Sequence, residues 1–222
     1  MPKTILIIGA GPGIGFATAQ RFAREGFDVV LAARNVQRLA PLAGELGGYG
    51  TRVHIEKLDA ASPSDVQQLV DRHGDDLRVL HYNAGALHRD ASGAVILKPL
   101  QQIGADAIAS DIGVNLTGAL VAMGAAVRHM VKRREGTILL TGGGLAVDPH
   151  YELMPLSTGK AGIRAAAQGL FLPLQAEGIH VATVTVSAGV GARSEEARQI
   201  AEAFWQLHAQ PQDAWTWEVK YP

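Results

Sequence analysis

Short apolar runs alternate with longer stretches of helical periodicity along the whole chain. The apolar runs are predicted to be strands at residues 5–8, 27–33, 52–58, 77–82, 136–144, 180–186 and 214–219. Helical patterns lie between them at 14–25, 36–46, 64–73, 105–132 and 194–208, with another helix after residue 156. Strand and helix repeat at the spacing of βαβ units, which predicts one α/β domain over residues 1–222. Its core is a Rossmann-type doubly wound parallel sheet of about seven strands, with helices on both faces.

Closely spaced glycines separate the first strand from the first helix, in the sequence GAGPGIG at 9–15. Glycine permits tight backbone angles and close approach of a ligand, and the free N–H groups of a helix start attract a diphosphate. The turn therefore indicates a dinucleotide site, although a structural βα turn in another α/β protein is the alternative. The candidate cofactor-binding residues of this turn are Gly9, Gly11, Gly13, Ile14 and Gly15.

Arg34 stands at the end of the second predicted strand, where no acidic residue precedes it. At this position an acidic side chain bonds the ribose 2′-OH of NAD, whereas an arginine receives the 2′-phosphate of NADP. The sequence therefore favours NADP(H) over NAD(H). A solvated residue at a strand end is the alternative reading of Arg34.

Composition narrows the possible partners. The 222 residues carry a net charge of −1 without blocks of like charge, so neither nucleic acid nor an anionic membrane is an expected partner. No cysteine is present, which excludes disulfides and thiolate chemistry and suits a cytoplasmic protein. No apolar run is expected to span a bilayer. The eight histidines are scattered, and no metal site is predicted.

Three motifs follow one another in a familiar order: GAGPGIG at 9–15, YNAG at 82–85 and VNLTG at 114–118. Together they resemble the short-chain dehydrogenase/reductase family. The resemblance implies that Asp59 lies near the adenine and that Asn83, Ala84 and Gly85 line the central cofactor groove, with Gly189 beyond the sixth strand. It implies a small carbonyl or alcohol substrate, and a homodimer or homotetramer built through helix 105–132. Packing of that helix onto the sheet of its own chain is the alternative reading of its small residues.

The same resemblance implies a catalytic tetrad, of which two members are missing. Relatives have a serine where this chain has Gly143, and a Tyr-x-x-x-Lys tyrosine where it has Leu156. Asn115 and Lys160 remain as the water-holding and ribose-binding members. Leucine cannot give or take the proton that hydride transfer to a carbonyl requires. A buried helix polar group and a solvated lysine are the alternative readings of Asn115 and Lys160.

Substitutes for the missing tyrosine precede the helix that bears Lys160. Tyr151 is a possible substitute acid, with His150 beside it, although both can equally be loop residues covering the sheet edge. Thr141 is expected to face away from the site by strand parity. His88 and Tyr82 are further candidates without a spacing argument.

The segment after the sixth strand also departs from the family. It keeps Gly189 but lacks the proline and threonine of relatives, and Ser194 already reads as a helix N-cap. The usual substrate lid therefore has no room. Trp205, Trp215 and Trp217 are predicted to serve the core or an interface.

Two hypotheses follow. One is an NADP(H)-binding oxidoreductase of this family whose turnover is slow or uses a different acid. The other is a non-catalytic dinucleotide-binding sensor or structural subunit.

Overall fold

A single parallel sheet forms the centre of the computed structural model, which describes residues 3–222. Its strands are β1 (Thr4–Ile8), β2 (Asp28–Ala33), β3 (Val53–Lys57), β4 (Leu77–Tyr82), β5 (Gly136–Thr141), β6 (Ile179–Val186) and β7 (Glu218–Tyr221). The spatial order is β3-β2-β1-β4-β5-β6-β7, and each neighbouring pair is parallel. The doubly wound α/β sheet predicted from the sequence is confirmed.

Helices connect the strands and cover both faces of the sheet. They are α1 (Ile14–Arg24), α2 (Ala40–Gly47), α3 (Pro63–His73), α4 (Ala105–Ile112), α5 (Gly118–Arg133), α6 (Met154–Ala176) and α7 (Glu195–Ala209). Pro63 is the first residue of α3, one residue before the predicted start. The Ser194 hydroxyl caps α7 as predicted and accepts a hydrogen bond from Ala197 N at 3.2 Å.

Strand alternation divides the apolar core in two. In β1, Ile5 and Ile7 join the cluster under α1 and α7, while Leu6 and Ile8 join the cluster under α3, α5 and α6. Side chains point to opposite faces along a strand, so a continuous apolar run fits a strand buried on both faces. The rings of Trp205 and Trp217 pack against these two clusters, as predicted.

Several element boundaries differ from the sequence predictions, among them the end of the fifth strand, which lies at Thr141 rather than at residue 144. Segment 36–46 is divided into a 3-10 turn at Val36–Arg38 and α2. The last strand is β7 rather than 214–219, because Trp215 lies outside the sheet with its ring stacked on His180 at 4.7 Å. Segment 105–132 comprises α4 and α5, joined by a π-helical turn at Gly113–Thr117.

The prediction that no segment could span a bilayer was wrong as to length and composition. Helical segment 105–133 is long and apolar enough to do so, because the π-helical turn continues α4 into α5. Alanine and methionine side chains on the inner face of α5 belong to the protein core, namely Ala119, Ala122, Met123, Ala126 and Met130. A core helix also passes this test, so it does not by itself identify a membrane span.

The sheet order changes direction at β1. The chain moves outward from β1 to β2 and β3, then returns to place β4 on the other side of β1. In open α/β sheets, ligands bind at the carboxyl ends of the strands next to such a reversal. The predicted glycine turn and the YNAG segment follow β1 and β4 at this edge.

Candidate active site

The glycine turn after β1 is fitted tightly against the end of β4. Gly9 has a φ of +86°, and a Cβ atom there would lie 2.3 Å from Ala84 N. Asn83 Nδ2 donates a 2.8 Å hydrogen bond to Gly9 O, and a Cβ on Gly15 would lie 3.2 Å from the same nitrogen. Glycine is therefore required at residue 9 by both conformation and space.

The other side of the turn is open. A Cβ on Gly11 would meet nothing within 4 Å, and one on Gly13 only the Gly191 carbonyl oxygen at 3.6 Å. Ile14 begins α1, whose first turn contains no acidic residue to neutralise the positive end of the helix. The cradle thus fits an anionic group such as a diphosphate.

A groove of about 320 Å³ continues from this turn across the ends of β2 and β3. The sequence-predicted residues Gly9, Arg34, Asp59, Asn83, Ala84 and Gly85 all line it. Asp59 Oδ1 accepts from Ala61 N at 3.0 Å, whereas the exposed Arg34 side chain forms no ion pair with any residue in 3–222. The fold thus brings together residues from four separate sequence segments.

On the other side of β1 lies a wider cavity of about 770 Å³, which Gly143, Leu156 and Lys160 line but Asn115 does not. Lys160 of α6 lines it, and its Nζ donates to Thr141 O at 2.6 Å. Burial lowers the pKa of Lys160 to about 8. Leu156, one turn earlier, is only 9% exposed and also lines the cavity, as do Ile14 and Gly189.

The lack of a side chain at Gly143 leaves space for the side chain of Lys160. A Cβ at residue 143 would lie 3.3 Å from Lys160 Cγ and 3.4 Å from its Cδ. The lysine stem therefore runs directly against the end of β5. A serine here would require that stem to shift by a few tenths of an ångström.

Thr141 belongs to a buried hydrogen-bond chain rather than to the cavity chemistry. Its hydroxyl donates to Asn83 Oδ1 at 2.8 Å and accepts from His81 Nε2 at 2.9 Å. Burial lowers the pKa of His81 to about 3, so this imidazole stays neutral. The chain links the carbonyl acceptor of Lys160 to the glycine turn through Asn83.

Asn115 occupies the π-helical turn between α4 and α5, a distortion frequent at functional sites. Its Oδ1 accepts from Ala86 N at 2.7 Å, while its buried Nδ2 has no partner within residues 3–222. A Cβ on Gly159 would lie 2.3 Å from Asn115 Cβ, so a glycine in α6 is needed for this approach. An unpaired buried amide is suited to hold a water or ligand oxygen.

Tyr151 and Tyr82, two candidates to replace the family tyrosine, do not line the Lys160 cavity. Tyr151 is 65% exposed and stacks on His150 at 5.6 Å. The Tyr82 hydroxyl is committed to Val114 O at 2.6 Å, and burial raises the pKa of that phenol. A catalytic role for Tyr151 would require movement of its loop, and it stays a prediction.

Sequence reasoning missed the partner of His88. The His88 Nε2 donates to both oxygens of the nearly buried Asp111, at 2.9 and 3.1 Å. Asp111 lies in α4, one turn before Asn115, which is the spacing that could have drawn attention to it. The pair lies between the adenine-side groove and a further cavity under the loop after β4.

The segment after β6 is short and fixed to the glycine turn. Arg193 N donates to Pro12 O at 2.8 Å, and the Arg193 guanidinium pairs with Glu45 at 2.6 Å. Only residues 187–194 separate β6 from α7. A long closing lid has no room in this segment.

Residues 3–216 match the family model described as short chain dehydrogenase. The chain belongs to the short-chain dehydrogenase family. A family structure from Rhodopseudomonas palustris is 28% identical with a TM-score of 0.87, covering 99% of this chain and 98% of that one. A second, from Sphingobium yanoikuyae in complex with NADPH, is 26% identical with a TM-score of 0.83, covering 100% and 88%.

A curated family member, 3beta-hydroxysteroid dehydrogenase 2 of Eggerthella lenta, is 29% identical over 147 residues. This match covers 65% of the chain and 54% of that relative, so the chain spans about half of its length. Family membership makes the chain a short-chain dehydrogenase-like oxidoreductase and agrees with dinucleotide binding at the glycine turn.

Proposed function

We propose that the protein binds NADP(H) and is an oxidoreductase of a small carbonyl or alcohol substrate with a degenerate catalytic tetrad. The observation that carries the proposal is the contrast between the groove at the glycine turn and the adjoining Lys160 cavity. In the groove, the glycine turn packs closely against the end of β4 through the contacts of Gly9 with Ala84 and Asn83. In the cavity, Lys160 is present, but Gly143 and Leu156 have no hydroxyl group.

Each part of the cofactor has a suitable partner in this groove. The open face of the glycine turn would hold the diphosphate, and Arg34 would face a 2′-phosphate. Asp59 would lie near the adenine, and Lys160 would bond the nicotinamide ribose. When bound, the cofactor supplies or accepts a hydride at a carbonyl or alcohol carbon. The complex of the Sphingobium yanoikuyae relative with NADPH supports this assignment.

Proton transfer is the step for which the chain is poorly equipped. A positioned acid contributes about 10² to 10⁴ in rate, and Leu156 cannot supply it. Lys160 has a pKa near 8 and lines the cavity, so it can hold a proton there. Bound water or a moved Tyr151 are the other sources. We therefore expect slow carbonyl reduction.

A non-catalytic sensor or structural subunit is the second candidate. The buried, apolar Leu156 favours it, because this side chain removes the family proton donor without disturbing the cofactor groove. Under this candidate NADP(H) binding would persist and turnover would be absent.

Restoring the missing groups separates the two candidates. NADPH oxidation would be followed with a panel of aldehydes and ketones for the native protein, Leu156→Tyr and Leu156→Tyr/Gly143→Ser. An oxidoreductase lacking only its acid should gain about 10²-fold or more in the tyrosine variants. Leu156→Phe, which adds the ring without the hydroxyl, is the matched control and should gain nothing.

A native rate at background with no gain in either variant would favour the sensor. Absence of NADPH binding would contradict both candidates.

A further inference from the structure

A separate cavity of about 350 Å³ lies under the loop that joins β4 to α4. A small hairpin forms its roof: Arg89 and Val95 form an antiparallel bridge, and Ile96 N donates to His88 O at 3.0 Å. Lys98 N donates to Glu152 O at 3.1 Å, which fixes the end of the loop to the start of α6. The volume lies within the range of small-molecule pockets, about 300 to 1,000 Å³.

The lining of this cavity is mainly apolar. Ile96 and Ile103 contribute from the loop, Ala107 from α4, and Leu156 from α6. Leu156 also lines the Lys160 cavity, so the two spaces meet at this side chain. The substitution that removes the family tyrosine thus gives both cavities a common apolar wall.

Exposed apolar side chains continue this lining to the surface. Ile96 and Leu87 line the cavity, and Leu97, Leu100 and Tyr151 are each within two residues of a lining residue. Large apolar side chains left exposed together around a cavity mark a ligand-binding surface.

Two cations at the cavity lack a carboxylate partner. Arg89 and Lys98 both line it, and neither forms an ion pair with any residue in the described chain. Arg89 reaches only Gly93 O, at 2.8 Å. It also lines the Lys160 cavity, so a cation stands at the junction of the two spaces.

None of the neighbouring acids in the described chain forms an ion pair with either cation. Asp111 is paired with His88, and Asp90 accepts from Ser92 N, Ser92 Oγ and Ala94 N at 2.6 to 3.0 Å. Glu152 is the remaining carboxylate in the lining. The lining thus contains two cations and two carboxylates, but neither Arg89 nor Lys98 is paired with a carboxylate of residues 3–222, so both cations are available to an acidic ligand.

We propose that this cavity binds an apolar molecule bearing a carboxylate or similar acid group, with its apolar chain against Leu156 and its acid on Arg89 and Lys98. The inference rests on the proposed function in so far as this ligand is the substrate, whose reacting carbon would lie in the adjoining Lys160 cavity. It would then be an acid that carries a separate carbonyl or alcohol group.

Calorimetric titration with octanoate, octan-1-ol and octylammonium tests the assignment, since these probes share an eight-carbon chain and differ in charge. Octanoate should bind at least tenfold more tightly than the other two. Arg89→Gln/Lys98→Gln should remove that preference and leave octanol binding unchanged. The control Arg38→Gln/Lys132→Gln, at exposed cations outside the cavity, should keep it.

Ala107→Phe would place a ring in the cavity from an exposed site on α4 and should weaken octanoate at least tenfold. Equal binding of octylammonium, no octanoate binding, or unchanged affinity in Ala107→Phe would overturn the inference. NADPH titration of the same proteins distinguishes the two proposals. NADPH binding without octanoate binding refutes only the cavity ligand, and octanoate binding without NADPH binding refutes only the cofactor assignment.

Discussion

The two sides of the groove at the carboxyl edge of the sheet differ in how strongly their residues are constrained. On the adenine and diphosphate side, Gly9 has no space for a side chain and Asn83 ties the turn to β4. On the side of the Lys160 cavity, Gly143 and Leu156 carry no polar side chain, and only residues 187–194 separate β6 from α7. We therefore expect cofactor binding and proton transfer to be separable in this chain.

The largest effect is expected from Gly9→Ala, which adds a side chain in the tightly packed glycine turn. The added Cβ would overlap Ala84 N at a positive φ, so the free energy of unfolding should fall by about 3 kcal/mol or more. The affinity for NADPH should fall at least about a hundredfold. Urea unfolding measures the free energy of unfolding, and fluorescence titration measures the affinity for NADPH. Gly11→Ala, where the Cβ meets no atom, should retain native stability; equal damage in both variants would contradict the account.

Lowering the pH should reduce the free energy of unfolding of the whole domain. Burial lowers the pKa of His81 to about 3 and that of His208 to about 4, below the unfolded value of about 6.5. Their neutral forms give full stability above about pH 6.5, which is lost as pH falls towards those folded values. Between pH 7.5 and 5.5 the loss should be about 1 kcal/mol per histidine.

Urea unfolding at both pH values measures this loss. His208→Gln should reduce the pH dependence, whereas His150→Gln, at an exposed residue, should leave it unchanged. A stability that rises on acidification would contradict the assignment of neutral buried histidines.

Lys160→Met tests whether the retained tetrad lysine serves the cofactor. Losing a charge-assisted hydrogen bond to the ribose should weaken NADPH about 10- to 30-fold. Stability should not fall by a similar amount, because the removed ammonium was costly to bury. Lys132→Met on the exposed end of α5 is the control. Unchanged NADPH affinity would show that Lys160 has no part in binding.

The smallest effect is expected from Arg34→Gln, which acts on cofactor preference. An exposed arginine paired with a 2′-phosphate contributes about 1 kcal/mol, so the affinity ratio of NADPH to NADH should fall about five- to tenfold. Arg38→Gln, in the adjacent exposed turn, should leave the ratio unchanged. Loss of affinity for both nucleotides alike would place Arg34 outside the phosphate site.

The sequence predicted the cofactor side better than the catalytic side, for physical reasons. Strand runs and glycine spacing are local signals, and the residues that they indicated after β1 and β2 do line one groove, although their role there stays a prediction. Contacts between distant segments leave no local signal. The His88 pairing with Asp111 and the buried chain from His81 through Thr141 to Asn83 emerged only in three dimensions.

An alternating hydrophobic pattern gave the wrong strand start where a side chain packs outside the sheet. Trp215 and Trp217 alternate as in a strand, yet the Trp215 ring stacks on His180 and β7 begins only at Glu218. The π-helical turn around Asn115 has no sequence signature, because it adds one residue to a helical pattern that continues on both sides. The expected homo-oligomer and cytoplasmic location stay predictions.

Titration of the native protein with NADPH and with NADH, followed by nicotinamide fluorescence, tests the central claim that the cofactor side is intact. The account predicts saturable binding of NADPH and clearly weaker binding of NADH. Binding of neither nucleotide would contradict it and would leave the glycine turn a purely structural feature.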